Sequence, residues 1–256
     1  MKKITIQNIV DFKKQKQKFA TITAYDFNSA CLVNDCDIPL ILVGDSASMM
    51  VYGYSTTIPV SMDEMLLVVR AVSRGSKNAL VVADLPFLSY QSSIEETIKN
   101  AGTMIKDGGA GAVKLEGGTH MKKHIKELVQ IGIPVMGHIG LTPQSFHQMS
   151  GYSIQGKTPD GAQKIIDDAL AVQEAGAFSV VLECIPENLA EEITKELSIP
   201  TVGIGSGKKC DGQIQVFHDV LGLSNSNPPK HALQYKNLNN EITEALKQYK
   251  DTVEKF

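Results

Sequence analysis

Five short apolar runs in this chain each stop at an ionisable residue, and that recurrence restricts the fold more than anything else in the sequence. ILVGDS, Ile41–Ser46, halts at Asp45; VVAD ends at Asp84, AVKLE at Glu116, IPVMGH at His138 and SVVLE at Glu183. Runs this continuous suit parallel strands whose two faces are covered by helices and by core. A charge left unpaired in such a core is costly, whereas a charge at a strand's exit can enter a polar cleft. Five charged exits therefore imply one shared polar site, at the end of a parallel sheet or barrel where the strands finish.

The rest of the chain supplies the elements for that arrangement. Strand-like runs lie at Phe19–Ala24, Pro39–Val43, Ala79–Ala83, Ala112–Leu115, Ile133–His138, Phe178–Leu182, Ile199–Val202 and Gln213–Phe217. Helical spacing fills Ser61–Arg74, Ser93–Lys106, His120–Val129, Asp160–Glu174 and Glu187–Glu196 between them. Ser61 with Glu64, and Ser93 with Glu96, have the spacing of capping boxes. Gly75, Gly108 and Gly176 follow helical runs, where a left-handed residue is wanted. Alternating strand and helix predict an α/β fold, and eight strands in 256 residues predict a (β/α)8 TIM barrel. Residues 1–256 then form a single domain, with an N-terminal helix ahead of the barrel. Ser224–Lys230 reads as a polar loop and Leu238–Phe256 as a helix in the C-terminal tail. The connections Ser46–Val60 and Gly140–Thr158 show little helical pattern and have the length of functional lids.

Composition narrows the class. With 43% hydrophobic and 21% charged residues the chain can build a sizeable core, and its net charge of -3 gives no reason to expect nucleic acid or an anionic membrane as partner. No run of about 18 apolar residues is present to span a bilayer. Cys31, Cys36, Cys184 and Cys210 form no CxxC pair, and reduced thiols in a cytoplasmic protein are the simpler account.

Side chains two apart share a face of a strand. That rule groups Ile41, Val43 and Asp45 on one face, Val82 with Asp84, Lys114 with Glu116, Met136 with His138 and Val181 with Glu183, all directed to one barrel mouth. Carboxylates gathered in one cleft repel each other, and a hard divalent cation such as Mg2+ relieves them. Mg2+ chelated by a 2-oxo acid would polarise its ketone and stabilise the enolate formed when a base takes the adjacent proton. Glu183 is the carboxylate left over as that base, with Lys114 and His138 placed to hold the substrate's negative charge. A phosphate cradle at Gly203–Gly207 and a metal pair at His120 and His124 are weaker signals.

Taken together, the motifs resemble ketopantoate hydroxymethyltransferase. The resemblance runs from about Ile9 to Gly222. It is carried by TAYD (Thr23–Asp26), VGDS (Val43–Ser46), TTIPVSMDEM (Thr56–Met65), ADLPFLSY (Ala83–Tyr90), KLEGG (Lys114–Gly118), GHIGLTPQS (Gly137–Ser145), LEC (Leu182–Cys184) and GIGSG followed by CDGQ. It implies a (β/α)8 barrel that adds the hydroxymethyl group of 5,10-methylenetetrahydrofolate to 3-methyl-2-oxobutanoate, giving 2-dehydropantoate in pantothenate biosynthesis. It further implies Mg2+ at Asp45 and Asp84, with Glu116 completing the metal site directly or through water. The 2-oxo acid would meet Asp45, Ser46, Asp84, Lys114 and His138, and Glu183 would accept the proton. A ring-based homo-oligomer, usually a decamer, is implied as well. The chain departs from the family pattern at Ala47–Met49, at Ser206 and at His231.

Two other readings stand beside it. Lys208-Lys209-Cys210 partly echoes the signature of isocitrate-lyase-like barrels, which also form enolates of 2-oxo acids. A catalytically silent barrel is the other, and it is disfavoured because Asp45, Asp84 and Glu183 are all present.

Overall fold

The computed structural model describes residues 3–149, 151, 153–224 and 229–256. The chain divides into two compact units, one ending at Ile214 and the other spanning Gln215–Phe256.

In the first unit, helix α1 (Ile6–Lys14) precedes β1 (Phe19–Thr23), α2 (Phe27–Asp35) and β2 (Leu40–Val43). A one-turn α3 (Ala47–Met50) and α4 (Met62–Gly75) lead to β3 (Leu80–Asp84), α5 (Ile94–Lys106) and β4 (Ala112–Glu116). After a 3-10 turn at Thr119–Met121 come α6 (Lys122–Gln130) and β5 (Val135–Gly140). A second 3-10 turn at Pro143–Ser145, α7 (Phe146–Met149) and α8 (Pro159–Glu174) follow, then β6 (Ser179–Glu183), α9 (Glu187–Glu196), β7 (Thr201–Ile204) and β8 (Gly212–Gln215), whose last residue is counted with the second unit. The eight strands close into a barrel in sequence order, and the paired strands run parallel. The expected (β/α)8 architecture is the observed one.

Capping explains several helix starts. Ser61 accepts from the Glu64 N–H, and the Glu64 carboxylate accepts from the Ser61 N–H at 2.8 Å, a complete capping box. Ser93 caps α5 alone, because the Glu96 carboxylate turns to the Ser92 hydroxyl instead. Gly176 has the expected left-handed backbone, with φ +95°. Gly75 and Gly108 do not; a Cβ there would lie 2.5 Å from Phe27 O and 2.4 Å from Met104 O, so close backbone approach is what excludes a side chain.

Two strands, β5 and β7, start two residues later than their apolar runs suggest. Pro134 and Pro200 have no N–H to enter the ladder, so the strands begin after them, while their carbonyls still accept from Val113 and Val180. The eighth strand is Gly212–Gln215 rather than Gln213–Phe217, since the chain turns into helix from Phe217. The two long connections are also less irregular than expected, each holding a one-turn helix.

The barrel interior is a layered apolar cluster that includes Phe19, Leu40, Leu42, Leu80, Val82, Ala112, Met136, Val181 and Val202. Ile9 of α1 is fully buried in it, and Ile6, Val10 and Phe12 pack against it. Burying one such side chain contributes roughly 1.5–3 kcal/mol. Lys13 Nζ pairs with Asp211 Oδ2 at 2.8 Å, holding α1 over the rim where the strands begin.

The second unit holds α10 (Phe217–Leu221), closed by Gly222 at φ +63°, and α11 (Leu238–Val253), which has no buried residue. Of the expected loop Ser224–Lys230, residues 225–228 lie outside the described residues.

Candidate active site

Strand register brings the predicted residues together. Asp84 is opposite Lys114, Glu116 opposite His138, and Glu183 opposite Gly140, the last residue of β5. Val82, Ala112, Met136 and Val181 belong to the interior cluster, so Asp84, Lys114, His138 and Glu183, two residues further on, point into the barrel above it.

Asp45 arrives differently from the expectation. Leu40 and Leu42 are the interior residues of β2, and Leu42 pairs with Val82, so Ile41 and Val43 face the helices. The strand ends at Val43, and Asp45 is carried to the mouth by the turn that follows, not by strand alternation. There its N–H donates to Asp84 Oδ2 at 3.2 Å. Ser46 sits on the same turn, its Oγ 2.7 Å from the Tyr25 hydroxyl.

The predicted charged residues and His138 make one connected set. Lys114 Nζ is 2.8 Å from Asp84 Oδ1 and 3.1 Å from His138 Nδ1. His138 Nδ1 is 3.5 Å from Glu116 Oε1, and its Nε2 is 3.1 Å from Glu183 Oε2. Asp45, Asp84, Lys114, Glu116 and His138 are all buried, with Glu183 more open at 16% side-chain exposure.

The electrostatics follow from that crowding. Burial, then repulsion from Asp84 and Glu116, holds the Asp45 pKa well above the usual carboxylate range. Burial raises Asp84 too, against the pull of the Lys114 ammonium. Burial alone would discharge Lys114, yet the surrounding Asp84, Glu116 and Asp45 outweigh it and raise its pKa. For His138, burial and Lys114 pull the value down, while Glu116 and Glu183 lift it to about 9.

Among the described residues no three His, Cys, Asp or Glu side chains form a ready-made ligand cage. The donor set nevertheless suits a hard divalent cation. Mg2+ needs only one or two carboxylates, the rest of its shell coming from water and substrate oxygens. Three buried carboxylates stand here beside one buried lysine, and Glu116 Oε1 is a buried oxygen without a hydrogen bond.

Residues that the strand-end pattern did not single out complete the site. Gln144, in the loop after β5, donates from Nε2 to Asp45 Oδ2 at 2.9 Å and from its backbone N–H to Glu116 Oε2 at 3.1 Å. Tyr90 donates to Gln144 Oε1 at 2.7 Å, and burial, with Glu116 beside it, keeps its phenol pKa well above the usual value. Both lie in motifs of the family resemblance, ADLPFLSY and GHIGLTPQS, which are the signal that could have found them.

The weaker signals resolve into structural contacts. Glu187 Oε1 accepts from the Lys208 N–H at 2.9 Å, so a protein carboxylate already occupies the Gly203–Gly207 loop. Lys209 and Cys210 precede β8 at the opposite rim, where their carbonyls accept from Lys18 Nζ. Ser206 is fully buried and donates to Leu182 O at 2.6 Å, which ties the loop after β7 to the strand carrying Glu183.

Comparison with known proteins places this geometry. A family model described as ketopantoate hydroxymethyltransferase matches residues 3–256. The 3-methyl-2-oxobutanoate hydroxymethyltransferase of Carboxydothermus hydrogenoformans is 51% identical over 249 residues, covering 97% of this chain and 90% of that protein. The protein of the same name from Geobacter metallireducens is 51% identical over 252 residues, covering 97% and 94%. Among solved structures, phosphoenolpyruvate phosphomutase from Streptomyces platensis subsp. rosaceus aligns with TM-score 0.64 at 13% identity, over 98% of this chain and 88% of that one, a likeness of fold. With a match over nearly its whole length and relatives at half identity, the chain belongs to the ketopantoate hydroxymethyltransferase family.

Proposed function

We propose that this enzyme transfers a hydroxymethyl group from 5,10-methylenetetrahydrofolate to 3-methyl-2-oxobutanoate, forming 2-dehydropantoate, with Mg2+ held by Asp45 and Asp84 and its surroundings completed by Glu116. The observation that carries this reading is the buried Asp45–Asp84–Lys114–Glu116–His138 set opening onto the more exposed Glu183. When bound, Mg2+ polarises the 2-oxo acid's ketone and favours its enolate.

The chain's own residues do the rest. Asp45, Ser46 and Asp84 bind the 2-oxo acid on the metal side, and the Lys114 ammonium and His138 offset its negative charge. Glu183 takes the C3 proton. His138 Nε2 stands 3.1 Å from Glu183 Oε2, close enough to steady the carboxylate in the site. The carbon so activated forms the new bond to the one-carbon unit, whose C–N bonds to the folate break; water supplies the hydroxyl oxygen and tetrahydrofolate leaves. The family reading also carries a cytoplasmic, ring-based homo-oligomer, a decamer, and the four free cysteines accord with a reducing compartment.

The test is turnover of 3-methyl-2-oxobutanoate with methylenetetrahydrofolate, with and without Mg2+. Metal-dependent formation of 2-dehydropantoate is expected, with Asp84→Ala needing far more Mg2+ than the wild type. Turnover indifferent to metal in both proteins would remove the metal assignment.

A further inference from the structure

We infer that Gln144 and Tyr90 are positioning residues that aim the Asp45 and Glu116 carboxylates, through a hydrogen-bond chain whose direction is set by one backbone amide. The inference rests on the reading that those carboxylates serve the metal ion.

The Glu116 N–H can only donate, and it reaches Tyr90 Oη at 3.1 Å. The Tyr90 hydroxyl has a single proton to give. Gln144 Oε1 at 2.7 Å is its near acceptor, and Glu116 O at 3.4 Å the distant one. Gln91 Nε2 donates to the same Gln144 oxygen at 3.1 Å. With Oε1 identified as the acceptor, the amide nitrogen must lie on the other side. Nε2 accordingly donates to Asp45 Oδ2 and to Leu85 O, both at 2.9 Å. A flipped carboxamide would set an oxygen against a carboxylate and a carbonyl at once.

Gln144 therefore engages one oxygen of each of two carboxylates, Asp45 through its side chain and Glu116 through its backbone. The opposite oxygens, Asp45 Oδ1 and Glu116 Oε1, are the ones left to face a cation. Gln144 is buried and Tyr90 almost wholly so, which shields this chain of bonds from competing water. Partners of this kind around metal ligands fix their orientation and tune affinity.

Metal-free crystal structures and Mn2+ titrations, followed by the electron paramagnetic resonance of the free ion, test the inference on two variants. Gln144→Met removes the side-chain donor, and Tyr90→Phe combined with Gln91→Leu strips both donors from Gln144 Oε1 while leaving Gln144 in place. In each, the Asp45 carboxylate is expected to turn from its present position, and Mn2+ binding to weaken about tenfold. Far-UV circular dichroism and gel filtration of each variant should match the wild type, which a general loss of structure would not allow. If Gln144→Met fails to fold, the double variant decides. The inference is overturned if a folded variant keeps the Asp45 carboxylate in place and binds Mn2+ within about twofold of wild type, well short of the loss expected for a lost ligand partner. Should the wild type itself hold no Mn2+, the metal assignment falls, and the crystal structures still decide whether Gln144 orients Asp45.

Discussion

His138 Nε2 lies 3.1 Å from Glu183 Oε2, a close approach of an imidazole to a carboxylate on the neighbouring strand. The other ring nitrogen stands between Lys114 and Glu116, so the proposed base is linked to the proposed metal side through a single ring.

Glu183→Gln keeps the shape of the side chain and removes its basicity. Exchange of the C3 proton of 3-methyl-2-oxobutanoate for deuterium, followed by NMR with Mg2+ and without folate, is expected to slow by about a hundred- to ten-thousand-fold. Exchange at the wild-type rate would transfer the role of base to another group.

Lys114→Met leaves Asp84 as a buried carboxylate without its ammonium partner, both side chains being at most 3% exposed in the native protein. Breaking a buried pair from one side costs about 3–5 kcal/mol. Thermal or urea unfolding without metal should show a loss of this size. The loss should shrink when Asp84→Asn is added, because the stranded charge is then gone.

Gly140→Ala tests the seating of Glu183. Gly140 has φ +91°, and a Cβ there would lie 2.4 Å from Glu183 O. The left-handed backbone and the clash together should cost about 1–3 kcal/mol. Because the clash falls on the backbone of the proposed base, proton exchange should drop along with stability. A fully stable Gly140→Ala protein with normal exchange would contradict the register described for β5 and β6.

Asp168 gives the pH prediction. Burial alone would raise its pKa, but Lys164 and the Thr119 N–H and hydroxyl outweigh burial and hold it below the usual value. A depressed native pKa adds stability above the unfolded carboxylate value of about 3.9, and that stability is lost as pH falls through the native value. Asp168→Asn should therefore melt below wild type at pH 7, with the gap closing as the pH drops below about 4. A gap independent of pH would show that the carboxylate's charge plays no part.

Much of the fold is legible in the sequence because burial on both faces leaves a strong imprint. Strands ending at Asp84, Glu116 and Glu183 are legible because a buried parallel strand that opens into a polar cleft is mostly apolar and turns charged where it enters the cleft, as Lys114 and Glu116 do in AVKLE. The face of Asp45 cannot. Every residue of Leu40–Val43 is buried, so hydrophobicity does not tell the inner face from the outer, and the two residues after the strand leave its period altogether. Gln144 and Tyr90 escape for another reason. Uncharged side chains in loops carry no periodic signal, and their contacts span 54 positions of sequence. The strand boundaries at Pro134 and Pro200 are hidden as well, because side-chain hydrophobicity says nothing about a missing N–H.

The helix Ile6–Lys14 has one more consequence. With Ile9 wedged among the interior residues and Lys13 fastened to Asp211, the helix serves as a plug at the end of the barrel where the strands begin. If the proposed chemistry holds, whatever reacts there would come and go by the far rim, where Glu183 is more open than its charged neighbours.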